Sequence, residues 1–242
     1  MLAVALGICM YGFSPNVNAK KPQASEKKER SLREYKLPSP EQTGNMSVEK
    51  ALSQRRSRRN FRDTEITSGQ LSQLLWAAYG VTLPIPDHTE FRGGFRTAPS
   101  AGGLYPFEIY VVTGKVEGIE PGIYKYVPAE HKIVPVVNGD KRKELCAAAY
   151  NQEMILQAPA VIVYNAVFSR TTGKYGNRGR ERYVCMDLGH SAQNIYLQAE
   201  ALGLGTCAIG AFNDKKIAEL LGVTLLSGEE PLYIMPVGHY GK

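Results

Sequence analysis

Within five residues, Arg55-Arg56-Ser57-Arg58-Arg59 gathers four guanidinium groups around one hydroxyl. Guanidinium offers planar, paired donors that match phosphate oxygens, and Ser57 adds a short donor where a long side chain does not fit. The chemistry that suits this set is capture of a small dianion such as a terminal phosphate. A basic run at a helix end also makes a solvated face, and the segment by itself leaves both readings open.

A second stretch, Arg96-Thr97-Ala98-Pro99-Ser100-Ala101-Gly102-Gly103-Leu104-Tyr105-Pro106, carries little side-chain bulk. Backbone there can come close to a flat ring, with Ser100 as donor or acceptor at the ring edge. A surface turn has the same composition. A third, Gly205-Thr206-Cys207-Ala208-Ile209-Gly210-Ala211-Phe212, offers main-chain amides with little side-chain interference, or forms a plain buried turn. No GxGxxG opens a helix after a strand, so a Rossmann site finds no support. The four cysteines, Cys9, Cys146, Cys185 and Cys207, show neither CxxC pairing nor zinc spacing and read as buried thiols; no metal site is expected.

The elements that hold these stretches follow from periodicity and caps. Ser47 caps a short helix that ends in the arginine run, and Thr67 with Gln70 forms a capping box for a helix whose Leu71, Leu74, Leu75, Ala78 and Tyr79 share a face, with Gly80 at its C-terminal end. Residues 81–103 read as a long functional loop. Phe107–Thr113 and Ala160–Phe168 are continuous apolar runs, expected as strands buried on both faces, with a hairpin over 123–127 and 132–137 between them. Asp140 is placed to cap a helix reaching Tyr150. The longest helix is expected over 181–202, where Val184, Leu188, Ala192, Ile195, Ala199 and Leu202 recur at spacings of three and four. Asn213 caps a last helix ending at Leu221-Gly222, and 232–237 forms the final strand. Interleaved helices and strands without a repeat indicate one α+β domain with helices around a mixed sheet.

A chain of 242 residues with 43% hydrophobic content is long enough to bury a substantial core, which excludes disorder throughout. Its net charge of +6 gathers in 20–36 and 55–62, without the aromatic-interleaved basic stripe of a nucleic-acid module. The opening MLAVALGICMYGF is apolar, with Val17 and Ala19 at the small-residue positions of a signal-peptide cleavage site, though no Lys or Arg precedes the run. Residues 1–40 are therefore expected to be a signal or membrane anchor plus a linker, implying an exported or tethered protein, with 41–242 as the folded domain. If the segment is not a signal, the protein is cytoplasmic.

In this order the three stretches resemble the nitroreductase superfamily of FMN enzymes. The blocks RRSRRNF, APSAGGLYPFEIYVV, KYGNRGRERY, DLGHSAQNIYLQAEALGLG and PVGH, spread over residues 45–240, resemble its SagB-type dehydrogenase branch. GGLYP stands where general nitroreductases more often carry an Asn and a Gln. The resemblance implies an intertwined homodimer with FMN in two interface sites and the 181–202 helix in the dimer core. It implies that Arg55, Arg56, Ser57 and Arg59 hold the FMN phosphate and ribityl chain, with Arg58 facing away. Pro99, Ser100, Ala101, Gly102 and Gly103 would meet the flavin from the other subunit, and Ile209, Gly210 and Ala211 would present backbone to the isoalloxazine ring. General nitroreductases often have a Glu at the place of Gly210, so only a main-chain role carries over. Many relatives have a basic side chain after the last strand, and here the chain carries Lys242.

Lys174-Tyr175 resembles the Lys-Tyr pair of the members that oxidise azoline rings in modified peptides. One of the two would take a carbon-bound proton as hydride leaves for flavin N5, which requires a site that alters its basicity. A polar loop among Gly173, Gly176 and Gly179 is the other reading. His190 reads as a hydrogen-bonded packing residue. The expected function is an FMN-dependent oxidoreductase passing hydride to or from a small organic or peptide-derived substrate, with NAD(P)H as a reductant. The alternatives are an NAD(P)H-dependent nitroreductase or quinone reductase, and a catalytically silent flavin-binding scaffold subunit.

Overall fold

Phe107–Thr113 forms strand β4, and its alternation explains why the whole run is apolar: Ile109 and Val111 face one layer of helices while Tyr110 and Val112 face another. The computed structural model describes Met1 and residues 33–85, 92–223 and 228–241. The chain divides into two units, Met1–Arg30 and Ser31–Lys242. The expected signal segment, Cys9 and Lys242 lie outside the described residues.

In chain order the second unit contains β1 (Tyr35–Lys36), α1 (Val48–Gln54), α2 (Ser68–Tyr79), β2 (Val81–Pro84), β3 (Gly94–Arg96), β4, β5 (Gly122–Val127), β6 (Lys132–Asn138), α3 (Arg142–Ala148) and α4 (Met154–Gln157). It continues with β7 (Ala160–Val167), α5 (Ser169–Tyr175), a π-helical turn (Gly179–Tyr183), α6 (Val184–Ala201), β8 (Gly205–Thr206), α7 (Asp214–Leu220) and β9 (Glu229–Gly238). Seven strands form one sheet in the order β1-β6-β5-β4-β7-β9-β8, with β7 paired to β4 and β9 along its length. The fold is α+β with helices on both faces. All pairings between these strands are antiparallel, and parallel contact among the described residues is confined to the isolated bridges Ser57–Thr206 and Ile66–Val116. The sheet is thus less mixed than the sequence predicts.

On one face α2 and α6 bury Leu71, Leu74, Leu75, Leu188, Ala192 and Ile195 against Ile109, Val111, Ile162 and Met235. On the other, α3, α7 and the Leu221 that follows it bury Leu145, Ile217 and Leu221 against Tyr110, Val112, Val161 and Ile234. Each fully buried Leu or Ile contributes about 1.5–3 kcal/mol relative to exposure, so the central strands and α6 are held firmly in place. A buried polar chain sets the register of helices on the sheet: Tyr164 Oη lies 2.8 Å from Ser191 Oγ, which donates to Ala78 O at 2.6 Å.

Three of the four expected N-caps form. Ser47 Oγ accepts from Lys50 N, Thr67 and Gln70 make the capping box, and Asn213 accepts from Lys216 N. Gly80 acts for a different reason than a left-handed cap: its φ is −63°, and a Cβ there would lie 2.2 Å from the Trp76 ring. Several expectations change. The loop over 81–103 contains the β2–β3 ribbon, and β1 lies inside the segment expected as linker, paired with β6. Asp140 binds the Arg142 guanidinium and backbone instead of opening a helix at its own position, and that helix stops at Ala148. Cys146 and Cys207 are buried, but Cys185 is exposed. Lys174 and Tyr175 sit in the last turn of α5, not in a loop. This helix carries no apolar period, and what holds it is the ion pair of Arg170 with Glu108 and the packing of buried Thr171.

Candidate active site

The turn between β3 and β4 is fixed by one buried carboxylate. Asp187, in the first turn of α6, accepts from Ser100 Oγ at 2.5 Å and from Ala101 N at 3.1 Å, while Ser100 Oγ accepts from Tyr105 N at 2.9 Å. Gly102 and Gly103 then take left-handed φ of 66° and 68°, which only glycine adopts without strain. Asp187 is 3% exposed and has no ion-pair partner among the described residues. Burial pushes its pKa up, against the Ser100 and Ala101 hydrogen bonds and the charge of His190. Ser100 is therefore a structural link, its proton given to Asp187, and not the free ring-edge donor the sequence suggests. His190 Nδ1 lies 3.4 Å from Pro99 O, in keeping with a packing role.

Lys174 and Tyr175 converge on this turn within the same chain. A Cβ built on Gly102 would lie 2.6 Å from Tyr175 Oη and 3.2 Å from Lys174 Nζ, so the missing side chain leaves the room that both groups enter. The Tyr175 ring meets Tyr183 edge-on at 4.8 Å, which fixes the phenol's direction from the π-helical turn. The arrangement places an amine and a phenol together over bare backbone, a combination suited to moving a proton at a molecule resting on the turn.

The first and third stretches meet elsewhere, around Tyr196 of α6. Ser57 Oγ is 3.1 Å from Tyr196 Oη, which accepts from Ala208 N at 2.8 Å, and Arg55 lies 5.7 Å from the Tyr196 ring centroid. Arg58 N donates to Thr206 O at 2.9 Å and locks the two stretches together. Arg58 turns its guanidinium onto Tyr240, 4.3 Å from the ring centroid, and its Cβ sits where Gly205 has none. Arg56 closes α1 by donating to Ser53 O and Arg55 O. Arg59 is exposed, and its charge acts on the buried Cys207 thiol, which burial nonetheless pushes up to about 11.

The donor set fits a phosphate-bearing flavin. Arg55 and Arg59 have no ion-pair partner among the described residues, and the Ser57 hydroxyl lies between them in sequence. Ile209 is committed, exchanging both main-chain hydrogen bonds with Ile234. Gly210 and Ala211 are exposed, and among the described residues their N–H groups meet no acceptor, while Gln152 holds Ala211 O at 2.9 Å. Of the three residues predicted to offer backbone, two have free amides. Asp187, Tyr196 and Gln152 were missed by sequence reasoning. Asp187 and Tyr196 lie in a block that the resemblance did single out, but nothing in helical spacing separates them from ordinary α6 residues.

Comparison with known proteins fits this geometry. The Nitroreductase family profile matches residues 52–239. A nitroreductase-type protein of Methanocaldococcus jannaschii is 45% identical over 205 residues, covering 85% of this chain and 96% of its own. The microcin B17-processing protein McbC of Escherichia coli is 26% identical over 133 residues, and this chain spans about half its length, 48%. Among solved structures, a nitroreductase from Ralstonia eutropha superposes with a TM-score of 0.72 at 30% identity, covering 87% of this chain and 90% of that one. The Escherichia coli microcin synthetase complex McbBCD with truncated pro-MccB17 bound gives a TM-score of 0.64 at 24% identity, over 96% and 85% of the two chains. The chain belongs to the nitroreductase family and is an oxidoreductase of that family.

Proposed function

We propose that this protein is an FMN-dependent oxidoreductase that works as a homodimer, each flavin being held by Arg55, Ser57, Arg59 and the Gly210 and Ala211 amides of one subunit and met by the Pro99–Gly103 turn of the other. The observation that carries this reading is the placement of the two half-sites on α6. Asp187, which holds the turn, and Tyr196, which holds the arginine stretch, are about two and a half turns apart, so about 14 Å along the axis and on opposite flanks. One chain directs its phosphate donors and its proton-moving pair to different sides, and a two-fold partner would bring one of each together. Exposed Val48 and Leu52 on α1 and Met186 on α6 offer apolar surface for such an interface.

The flavin, when bound, would supply a hydride acceptor and donor at its N5. The chain's own part is the rest. Arg55 and Arg59 would hold the phosphate by charge-assisted hydrogen bonds, with Arg56 confined to the rim by its bonds to α1. The bare Gly102 leaves room for Lys174 Nζ and Tyr175 Oη to stand against the turn, where they would take or return a proton at a substrate resting beside them. Aromatising an azoline ring removes two hydrogens, one as hydride and one as a proton, and the pair suits the second. The McbBCD likeness supports a peptide-derived substrate of that kind; the 45% identity to the archaeal nitroreductase-type protein supports a small organic acceptor with NAD(P)H as reductant. An exported or tethered location, proposed from the N-terminal sequence, favours the small organic substrate.

Anaerobic mixing of flavin-loaded protein with NADPH, NADH or a thiazoline-bearing peptide tests the reading. Loss of the oxidised-flavin absorbance with any of the three supports an active oxidoreductase and names the donor. Flavin that responds to dithionite alone would contradict it in favour of a silent scaffold.

A further inference from the structure

Asp187 does a job that α6 itself does not need. The helix continues out of the π-helical turn, and Tyr183 at its start makes no side-chain cap, so no orphan amide of α6 calls for a carboxylate here. Its two oxygens instead leave the helix and take the Ser100 hydroxyl and the Ala101 amide. A buried carboxylate served only by neutral donors is costly, and its retention calls for a gain elsewhere.

The gain is found in what the turn would be without it. Ala101 N has no other acceptor among the described residues, and Gly102 sits in a left-handed conformation with no hydrogen bond of its own. The remaining restraints are Gly103 N to Ser100 O at 3.0 Å and a long contact of 3.4 Å from Leu104 N to Ala101 O. Asp187 thus fixes the first two residues of a four-residue turn, and the next residue, Gly102, is the surface that Tyr175 Oη and Lys174 Nζ approach.

We propose that Asp187 is a positioning residue that holds the Ser100–Gly103 turn beneath Lys174 and Tyr175 and so sets where their ammonium and hydroxyl meet the reacting molecule. This rests on the assignment of the pair to proton transfer, but its test does not need turnover. The flavin-loaded protein and its Asp187→Ala, Asp187→Asn and Ser100→Ala variants are treated with sulfosuccinimidyl acetate, and acylation of Lys174 is followed by mass spectrometry. Lys215, exposed on α7, is the internal control. Amide exchange over residues 98–105 is read in the same samples.

Asp187→Ala and Ser100→Ala are expected to change the Lys174 rate at least about threefold and speed exchange at Ala101, with Lys215 unchanged. Asp187→Asn, which keeps an acceptor for the Ala101 amide, should fall between them and wild type. If Asp187→Ala does not fold, the Ser100→Ala result decides alone. Wild-type Lys174 acylation and wild-type exchange in every folded variant overturn the proposal. Should Lys174→Ala prove fully active while the labelling shift appears, the proton-transfer assignment fails and the coupling of Asp187 to the turn stands.

Discussion

Tyr175 Oη approaches Gly102 so closely that a single added carbon on the glycine would stand 2.6 Å from it. Gly102 also has φ of 66°, so Gly102→Ala carries both a clash with the phenol and backbone strain of about 1 kcal/mol. The variant is expected to fold, with a small fall in melting temperature, to take up FMN, and to lose most of its substrate oxidation. Steady-state rates beside a thermal melt check this, and full activity would show that the phenol and the turn do not act together.

Among the described residues Arg55 and Arg59 have no ion-pair partner, and Arg58 is stacked on Tyr240. Removing Arg55 or Arg59 should cost charge-assisted hydrogen bonds of about 1.5–3 kcal/mol each, a roughly ten- to hundredfold loss of FMN affinity. Riboflavin, lacking the phosphate, should lose little in these variants. Arg58→Ala should instead lose about 0.5–2 kcal/mol of stability with FMN affinity close to wild type. Calorimetric titrations of both flavins make the comparison, and equal losses for FMN and riboflavin would point to fold damage.

Lys174→Ala and Tyr175→Phe should each slow oxidation of a thiazoline-bearing peptide by roughly 10² or more while leaving the bound-flavin spectrum unchanged. Stopped-flow reduction of the flavin measures this. Unaltered rates in both variants would remove the pair from the reaction.

Much of this framework is legible in sequence because it is local. Continuous apolar runs at 107–113 and 160–167, the Thr67–Gln70 box and the three-four spacing of α6 each carry their own physical signal. What escapes is non-local. The β2–β3 ribbon lies within a Gly- and Pro-rich stretch that reads as loop, and α5 is held by Arg170 reaching a glutamate 62 residues away. Asp187 binds a turn 87 residues earlier, and Ser57 finds Tyr196 across 139 residues. Such pairings depend on how sheet and helices stack, which no window of sequence contains.

Stability should fall in mild acid through His131. Its Nε2 lies 2.7 Å from Ser72 Oγ and 3.1 Å from Pro38 O, and its Nδ1 lies 2.8 Å from Tyr126 Oη, an arrangement that suits the neutral ring. Burial lowers its pKa from 6.5, outweighing the Pro38 hydrogen bond. Between the lowered folded value and 6.5 the unfolded chain binds more protons, so stability is complete above pH 6.5 and is lost as pH falls below it. Urea unfolding at a series of pH values should show that slope in wild type and a shallower one in His131→Gln. Identical slopes would place the acid sensitivity elsewhere.

Whether this chain carries FMN is decided by the identity of the flavin released when freshly purified protein is denatured. FMN is expected, close to one per chain, from protein whose spectrum shows oxidised-flavin bands before denaturation. Protein that yields no flavin and takes up none when FMN is added would contradict it.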